Sequence, residues 1–289
     1  VRISNAPTAV TGSLVGSMVG AHTAAGLPDT RALALCAVGS VLLYAGGMVM
    51  NDYFDQPLDR LERPGRPIVS GQVPEAGALT LGMLLLAGGV AAMVACAGAV
   101  VPWALLLLST ILAYNLLHRD RIAAPVLMAS CRMLVPVIAA IASAPSNRPE
   151  WPLLASVALP LGAFTAAISM AARHEADDAA VAPSMPFALA LAAMIAPNAC
   201  MMLGTLEPFP RDSIMLAAPS LIVAGWIALR GRAHMRRPGD APRGVMRWIA
   251  AIAFVDAASL APLGGGALIL IAAGAGALTV LMQRRILGS

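Results

Sequence analysis

The chain has 289 residues, of which 59% are hydrophobic and 12% charged, with a formal net charge of +4. Soluble domains carry about 25% charged residues, so this composition excludes a water-soluble helical bundle. Repeated apolar stretches of roughly 20 residues match a bilayer core, and the abundance of small residues suits close helix contact in lipid.

In chain order, spans are expected at 6–26, 32–51, 76–97, 101–118, 122–143, 152–173, 184–205, 213–230, 246–262 and 265–284. All 19 basic residues are arginine, so every one is a fixed cation. With a cytoplasmic N-terminus, fifteen of them fall on the cytoplasmic side, against Arg31, Arg148 and Arg211 on the other. That is a positive-inside distribution. Arg284 and Arg285 obey it only if the span count is even, which favours ten over nine. The Gly264–Gly266 run is either a turn or a break inside one long segment. The expected fold is therefore all-α: a polytopic bundle of nine to ten transmembrane helices in a cell inner or plasma membrane, with its charged loops cytoplasmic. It forms one domain over 1–289. Charge follows the second span at 51–66 and the sixth at 173–178, which suggests two related halves, about 1–143 and 144–289. The basic stretch 231–245 reads as a turn-rich loop that marks topology.

Cys36, Cys96, Cys131 and Cys200 lie far apart in apolar segments, without metal-ligand spacing, and read as small core residues. Nothing in the pattern points to nucleic acid.

Charge concentrates in 51–71, NDYFDQPLDRLERPGRPIVSG. Asp52, Asp55 and Asp59 stand at i, i+3 and i+7, which places them on one helical face. Three aligned carboxylates repel unless a cation sits between them. Oxygen donors of this kind suit Mg²⁺, which leaves positions open for phosphate oxygens. Arg60, Arg63 and Arg66 follow, and guanidinium forks answer the remaining phosphate charge. Pro57 would clash with the Tyr53 carbonyl, so the helix should end or kink there, with Asp59 in the following turn. The RPGRP run should hold the next segment extended.

These residues resemble the first signature of the UbiA superfamily of intramembrane prenyltransferases, an N-D-x-x-D-x-x-x-D run followed by R-x-x-R-P and S-G. The match comprises Asn51, Asp52, Asp55, Asp59, Arg63, Arg66, Pro67, Ser70 and Gly71. Arg2 and Asn5 resemble the R-x-x-N opening of that family's first helix. Tyr114 and His118 fall where members often have Tyr and Lys. Arg132 falls at a Gly-x-x-Arg whose Gly is Ala129 here. The resemblance implies Mg²⁺-dependent transfer of an isoprenyl group from a prenyl diphosphate to a small aromatic or lipophilic acceptor in the membrane. It further implies that Asp52, Asp55 and Asp59 hold metal and that Tyr114 and His118 lie near the leaving group. Asn51, Arg63, Arg66 and Arg132 would contact substrate, and Arg2 and Asn5 would face the acceptor end.

The second signature departs from the family. In place of acids four residues apart the chain has RHEADD, in which Glu175 and Asp178 are three apart. A degenerate second metal site on Glu175 and Asp178 is expected, with Arg173 touching the diphosphate directly; this second motif resembles that of the EboC-like branch. Arg132 lies inside a span and should face the cavity or a partner. Asp256 and Asn198 are expected to hydrogen-bond between helices. Two other readings stay open: a UbiA-type terpene cyclase, and a carrier of a phosphorylated lipid that does no chemistry.

Overall fold

A computed structural model of the chain describes residues 2–22, 26–173, 184–202, 212–237 and 239–285. Among them the fold is entirely helical: α1 (Pro7–His22), α2 (Thr30–Phe54), α3 (Gln56–Glu62), α4 (Glu75–Val94), α5 (Val101–Leu117), α6 (Ala123–Ser143), α7 (Trp151–Arg173), α8 (Ser184–Met202), α9 (Asp212–Met235), α10 (Ala241–Leu260) and α11 (Ala267–Arg285). Short 3₁₀ turns at Arg2–Asn5, Gly98–Val100 and Pro145–Asn147 complete it. Each of the ten expected spans falls on one helix, and α3 is additional.

Among the described residues, six segments are long and apolar enough to cross a membrane: Thr30–Phe54, Glu75–Val94, Gly98–Leu117, Ala123–Ser143, Trp151–Ala172 and Ala267–Arg285. α1 and α10 are not among them: α1 has only 16 residues and α10 carries Arg243, Arg247 and Asp256, and both are deeply buried. Every residue from Thr8 to Ala21 except Val10 is buried, as is every residue from Ala250 to Leu260. Helices surrounded by other helices have no lipid-facing side, so they tolerate Ser, Thr and Asp.

Small residues set the spacing. Gly12, Gly16 and Gly20 make a four-residue stripe on α1, where a Cβ on Gly16 would collide with the Pro136 carbonyl and one on Gly20 with that of Ala140. α1 therefore lies directly against the α6 backbone, the close approach that small-xxx-small stripes permit. Gly231 and Gly244 bring α9 and α10 together in the same way, since a Cβ on Gly244 would lie 2.6 Å from the Gly231 oxygen. The buried Trp248 closes that contact by donating Nε1–H to the Ala228 carbonyl at 2.9 Å.

The stretch expected as the loop 231–245 is mostly helical: Gly231–Met235 finish α9 and Ala241–Val245 begin α10. Arg232 and Arg243 sit on the helix ends, and Arg236 and Arg237 lie in the short turn between them. There His234 donates Nδ1–H to Asp240 Oδ2 at 2.6 Å, and Arg243 reaches Oδ1 at 3.0 Å. The His234 contact, helped by Arg243 and opposed by burial, holds the Asp240 carboxyl below the usual carboxylate range. Between α10 and α11, Gly264 (φ 72°) and Gly266 (φ 46°) occupy the left-handed region, so that segment is two helices joined by a turn.

Candidate active site at the mouth of a central cavity

The acidic motif straddles a helix break. α2 ends at Phe54, and Asp55 is both its C-cap and the N-cap of α3. Pro57 thus falls in the first turn of a new helix, where a missing N–H costs nothing. The Tyr53 carbonyl, which the proline ring would have crowded, accepts a hydrogen bond from Gln56 Nε2 at 3.1 Å. Asp59 is therefore helical and 5% exposed, not in a turn as expected.

The segment after α3 is not extended either. Arg66 N bonds to Arg63 O at 3.0 Å and Ser70 N to Arg66 O at 2.8 Å, and Gly71 takes φ 76°. These turns fold Arg66 back onto the acids. Its Nη1 lies 2.5 Å from Asp52 Oδ1 and 3.6 Å from Asp59 Oδ2. A cation does sit between two of the three carboxylates, and it is the guanidinium expected on the diphosphate.

Asp55 is treated differently. Asn51 donates Nδ2–H to its Oδ2 at 3.1 Å. Its Oδ1 lies 3.0 Å from His118 Nε2 and 3.5 Å from Arg119 Nη2. Neither donor is aligned on that oxygen, which is buried without a hydrogen bond. His118 caps α5 with Nδ1 3.0 Å from the Asn115 carbonyl. The Tyr114 ring lies 6.3 Å from the His118 ring.

Carboxylate oxygens suit a hard dication such as Mg²⁺, and Asp55 Oδ1 lacks a hydrogen bond, although His118 and Arg119 stand beside it. Among the described residues, however, no three acids, histidines or cysteines converge at ligand distance. Arg66 instead supplies the neutralising charge.

Behind this cluster lies a cavity of about 510 Å³ among α1, α2, α5, α6, α7 and α10. Asn51, Tyr114, Asn115 and His118 line its mouth, and Leu43, Ile111 and Ile252 are among its apolar walls. Asn115 was not singled out from sequence. It is 2% exposed, and its Nδ2 has no partner.

Arg132 lines the cavity as expected, but it touches no motif acid. Its Nη1 donates to the Thr8 carbonyl at 2.7 Å and its Nη2 to Thr8 Oγ1 at 2.8 Å. Thr11 Oγ1 contacts Asp256 Oδ2 at 2.5 Å, the helix–helix bond expected of that acid. Among the described residues Asn198 does not make the expected bond: its buried amide nitrogen has no partner there. Asn5 lines the cavity, and its Oδ1 accepts from Gln283 Nε2 at 2.9 Å, while the same nitrogen donates to the Met246 carbonyl at 2.7 Å. Arg2 lies in the opening 3₁₀ turn and Arg173 ends α7, but their side chains fall outside the described residues, as do His174, Glu175, Asp177 and Asp178. Arg63 caps α3.

The UbiA prenyltransferase family matches residues 13–252, most of the chain. The chain belongs to the UbiA prenyltransferase family. Two solved structures share the UbiA-like fold. A UbiA homologue from Aeropyrum pernix K1 is 20% identical with a TM-score of 0.62, covering 89% of this chain and 98% of that one. A digeranylgeranylglyceryl phosphate synthase structure is 17% identical with a TM-score of 0.58, covering 91% and 95%. Curated relatives are similar over shorter stretches. The digeranylgeranylglyceryl phosphate synthase of Natronomonas pharaonis is 38% identical over 71 residues, 25% of this chain and 26% of its own length. The 4-hydroxybenzoate octaprenyltransferase of Shewanella frigidimarina is 47% identical over 64 residues, 22% of each. This UbiA-family chain thus matches about a quarter of the length of those relatives. It is a multi-pass membrane protein.

Proposed function

We propose that the chain transfers an isoprenyl group from a prenyl diphosphate to a small aromatic or lipophilic acceptor within the membrane. The observation that carries this reading is an apolar cavity ending on Asn51, Asn115 and His118, with the Asp52–Arg66 cluster next to them. The relatives' names support it: both contain a polyprenyl group, octaprenyl or geranylgeranyl, and they differ in what carries it.

In the reaction the allylic C–O bond breaks and its electron pair leaves with the diphosphate. The acceptor's nucleophilic atom bonds to the allylic carbon and gives up a proton. Arg63 and Arg66 donate to the departing oxygens, Arg66 exchanging Asp52 for phosphate. Tyr114 and His118 flank the leaving group, and Asn51 orients Asp55. Arg173 would touch the diphosphate, while Arg2 and Asn5 face the acceptor. Asp52, Asp55 and Asp59 would hold Mg²⁺, with Glu175 and Asp178 a weaker second site. Bound Mg²⁺ supplies Lewis-acid stabilisation of the leaving group. The apolar walls exclude water from the allylic cation.

The test is diphosphate release from labelled geranyl diphosphate by the full chain in detergent, with and without Mg²⁺, together with mass spectrometry of products formed in membranes. Mg²⁺-dependent release and a product heavier than an acceptor by one prenyl group are expected. Binding without cleavage would make the chain a carrier, and release with a cyclic hydrocarbon would make it a cyclase. The motif loops belong on the cytoplasmic face in this reading, supported by the arginine distribution. A reporter fused after Ser289 should read cytoplasmic, and a signal from the opposite side would overturn that orientation.

A further inference from the structure

The four cysteines lie far apart in sequence, yet the fold brings two of them together. Cys36 Sγ and Cys96 Sγ are 3.7 Å apart, and both are free thiols. Cys36 stands near the start of α2 and is fully buried. Cys96 is half-buried on the turn after α4, its Sγ 3.7 Å from the Ala32 carbonyl and 3.6 Å from that of Ala92. Glycines let the two helices approach this closely. A Cβ on Gly39 would lie 2.9 Å from the Gly89 oxygen, and one on Gly89 would lie 3.0 Å from that of Gly39. About 24 Å of helix separates Cys36 from Asp52, so the pair stands at the end of α2 opposite the acidic motif. The hydrogen bond from Cys36 and the Arg31 guanidinium hold the Cys96 thiol below its ordinary range, although burial and Asp29 act the other way. A thiolate is the nucleophile of disulfide exchange, and Cys96 is both the thiol so favoured and the one within reach of solvent.

We propose that Cys36 and Cys96 are a disulfide-forming site that staples the outer end of α2 to the turn after α4. This rests on the orientation proposed above, which puts the pair on the side of the membrane where disulfides persist. The oxidant is a disulfide-bearing thiol oxidant of that compartment. The Cys96 thiolate attacks one of its sulfurs, which forms a mixed disulfide and releases one thiolate. That thiolate takes the Cys36 proton. Cys36 Sγ then attacks Cys96 Sγ and expels the second oxidant sulfur, which takes up the proton Cys96 gave away. Two protein thiols are oxidised and one disulfide is reduced to two thiols. The bonded sulfurs would stand about 2.05 Å apart, so closure needs the turn carrying Cys96 to shift toward α2. The ring it closes, residues 36–96, contains the whole of 51–71, and closing a long ring restricts the unfolded chain.

Thiol counting on the full chain tests this. Membranes are quenched in acid, denatured, alkylated with maleimide-polyethylene glycol and resolved by gel. Wild type should take two labels, on Cys131 and Cys200, and four after prior reduction. Cys36→Ser and Cys96→Ser should each take three, reduced or not. Labelling is done on denatured chains, so wild type decides even where a variant does not fold. Purified wild type that is reduced and then given diamide, an azo compound that accepts two electrons and two protons, should return to two labels. It should then melt at least about 4 °C above the reduced form. Four labels after diamide, or equal melting temperatures, overturns the proposal. Four labels in membranes overturns it too, and the reporter after Ser289 then separates the causes: a cytoplasmic signal faults the pair, and the opposite signal faults the orientation. The prenyl-transfer reading fails separately, by absence of Mg²⁺-dependent diphosphate release.

Discussion

Two groups of charges organise this molecule, and they are handled in opposite ways. At the cavity mouth Arg66 touches Asp52 and Asp59 directly, and the Asp52 side chain is 48% exposed. In the interior Arg132 and Asp256 are kept apart, with Thr8 and Thr11 of α1 as their contacts. Near water a direct ion pair contributes little, so its partners can be exchanged for a ligand's charges at small cost. Inside the bundle an unsatisfied donor is expensive, so the arginine is held by hydroxyl and carbonyl groups that never leave. The mouth is built for exchange and the interior for permanence.

The strongest test of this contrast is Asp55→Ala. Its orphaned Oδ1 makes Asp55 the acid with the most capacity to take a cation, and its loss should lower diphosphate release by about 10²–10³-fold, the cost of removing one electrostatic stabiliser. Initial rates at saturating Mg²⁺ decide it, and a rate within tenfold of wild type would remove Asp55 from the chemistry. The second acidic cluster should matter less: Glu175→Ala and Asp178→Ala should each retain at least about ten times the activity of Asp55→Ala, or ~1.4 kcal/mol. Arg173→Ala should be worse than either, and an active Arg173→Ala beside dead Glu175→Ala would make the second cluster an ordinary metal site.

In the interior, Thr8→Val removes the hydroxyl that accepts from Arg132 Nη2 and should cost about 1–3 kcal/mol, read as a lowered Tm in detergent. An unchanged Tm would show that the backbone carbonyl suffices. The smallest effect belongs to the α9–α10 turn. The Asp240 carboxyl is held below its ordinary value, so the stability it adds is complete above the unfolded carboxylate pKa, near 4, and is lost as pH falls through the lower folded value. Asp240→Asn should therefore lower Tm slightly at pH 7 and flatten its acid dependence. An acid limb as steep as wild type would place that dependence elsewhere.

Sequence carried much of this. Apolar runs separated by arginines located ten helices, and the spacing of Asp52, Asp55 and Asp59 pointed to the candidate site. A lone acid in a span anticipated the bond of Asp256 to another helix. What could not be read were partners. Periodicity says which face a residue occupies, not which distant side chain meets it, so Thr8 beneath Arg132 and Gln283 beside Asn5 carry no local signal. The break at Asp55 is a case where the rule about proline was right and its application shifted: the helix stopped two residues early, so that Pro57 could start a new one. The fold-back of Arg66 depended on turns at Gly65 and Gly71 that proline content alone suggested would be extended.

The bond between Gln283 and Asn5 joins residues 278 positions apart. It has a bearing on how the protein comes into being. α1 has too few apolar residues to be a stable passenger in lipid alone, and its neighbours include α6, α10 and α11, all made after it. Asn5 gains its bond from Gln283 only once α11 has arrived. A ribosome that stops before α11 leaves a bundle with the acidic motif and every cavity-lining residue present, but with α1 lacking its α11 neighbour and Asn5 lacking that bond.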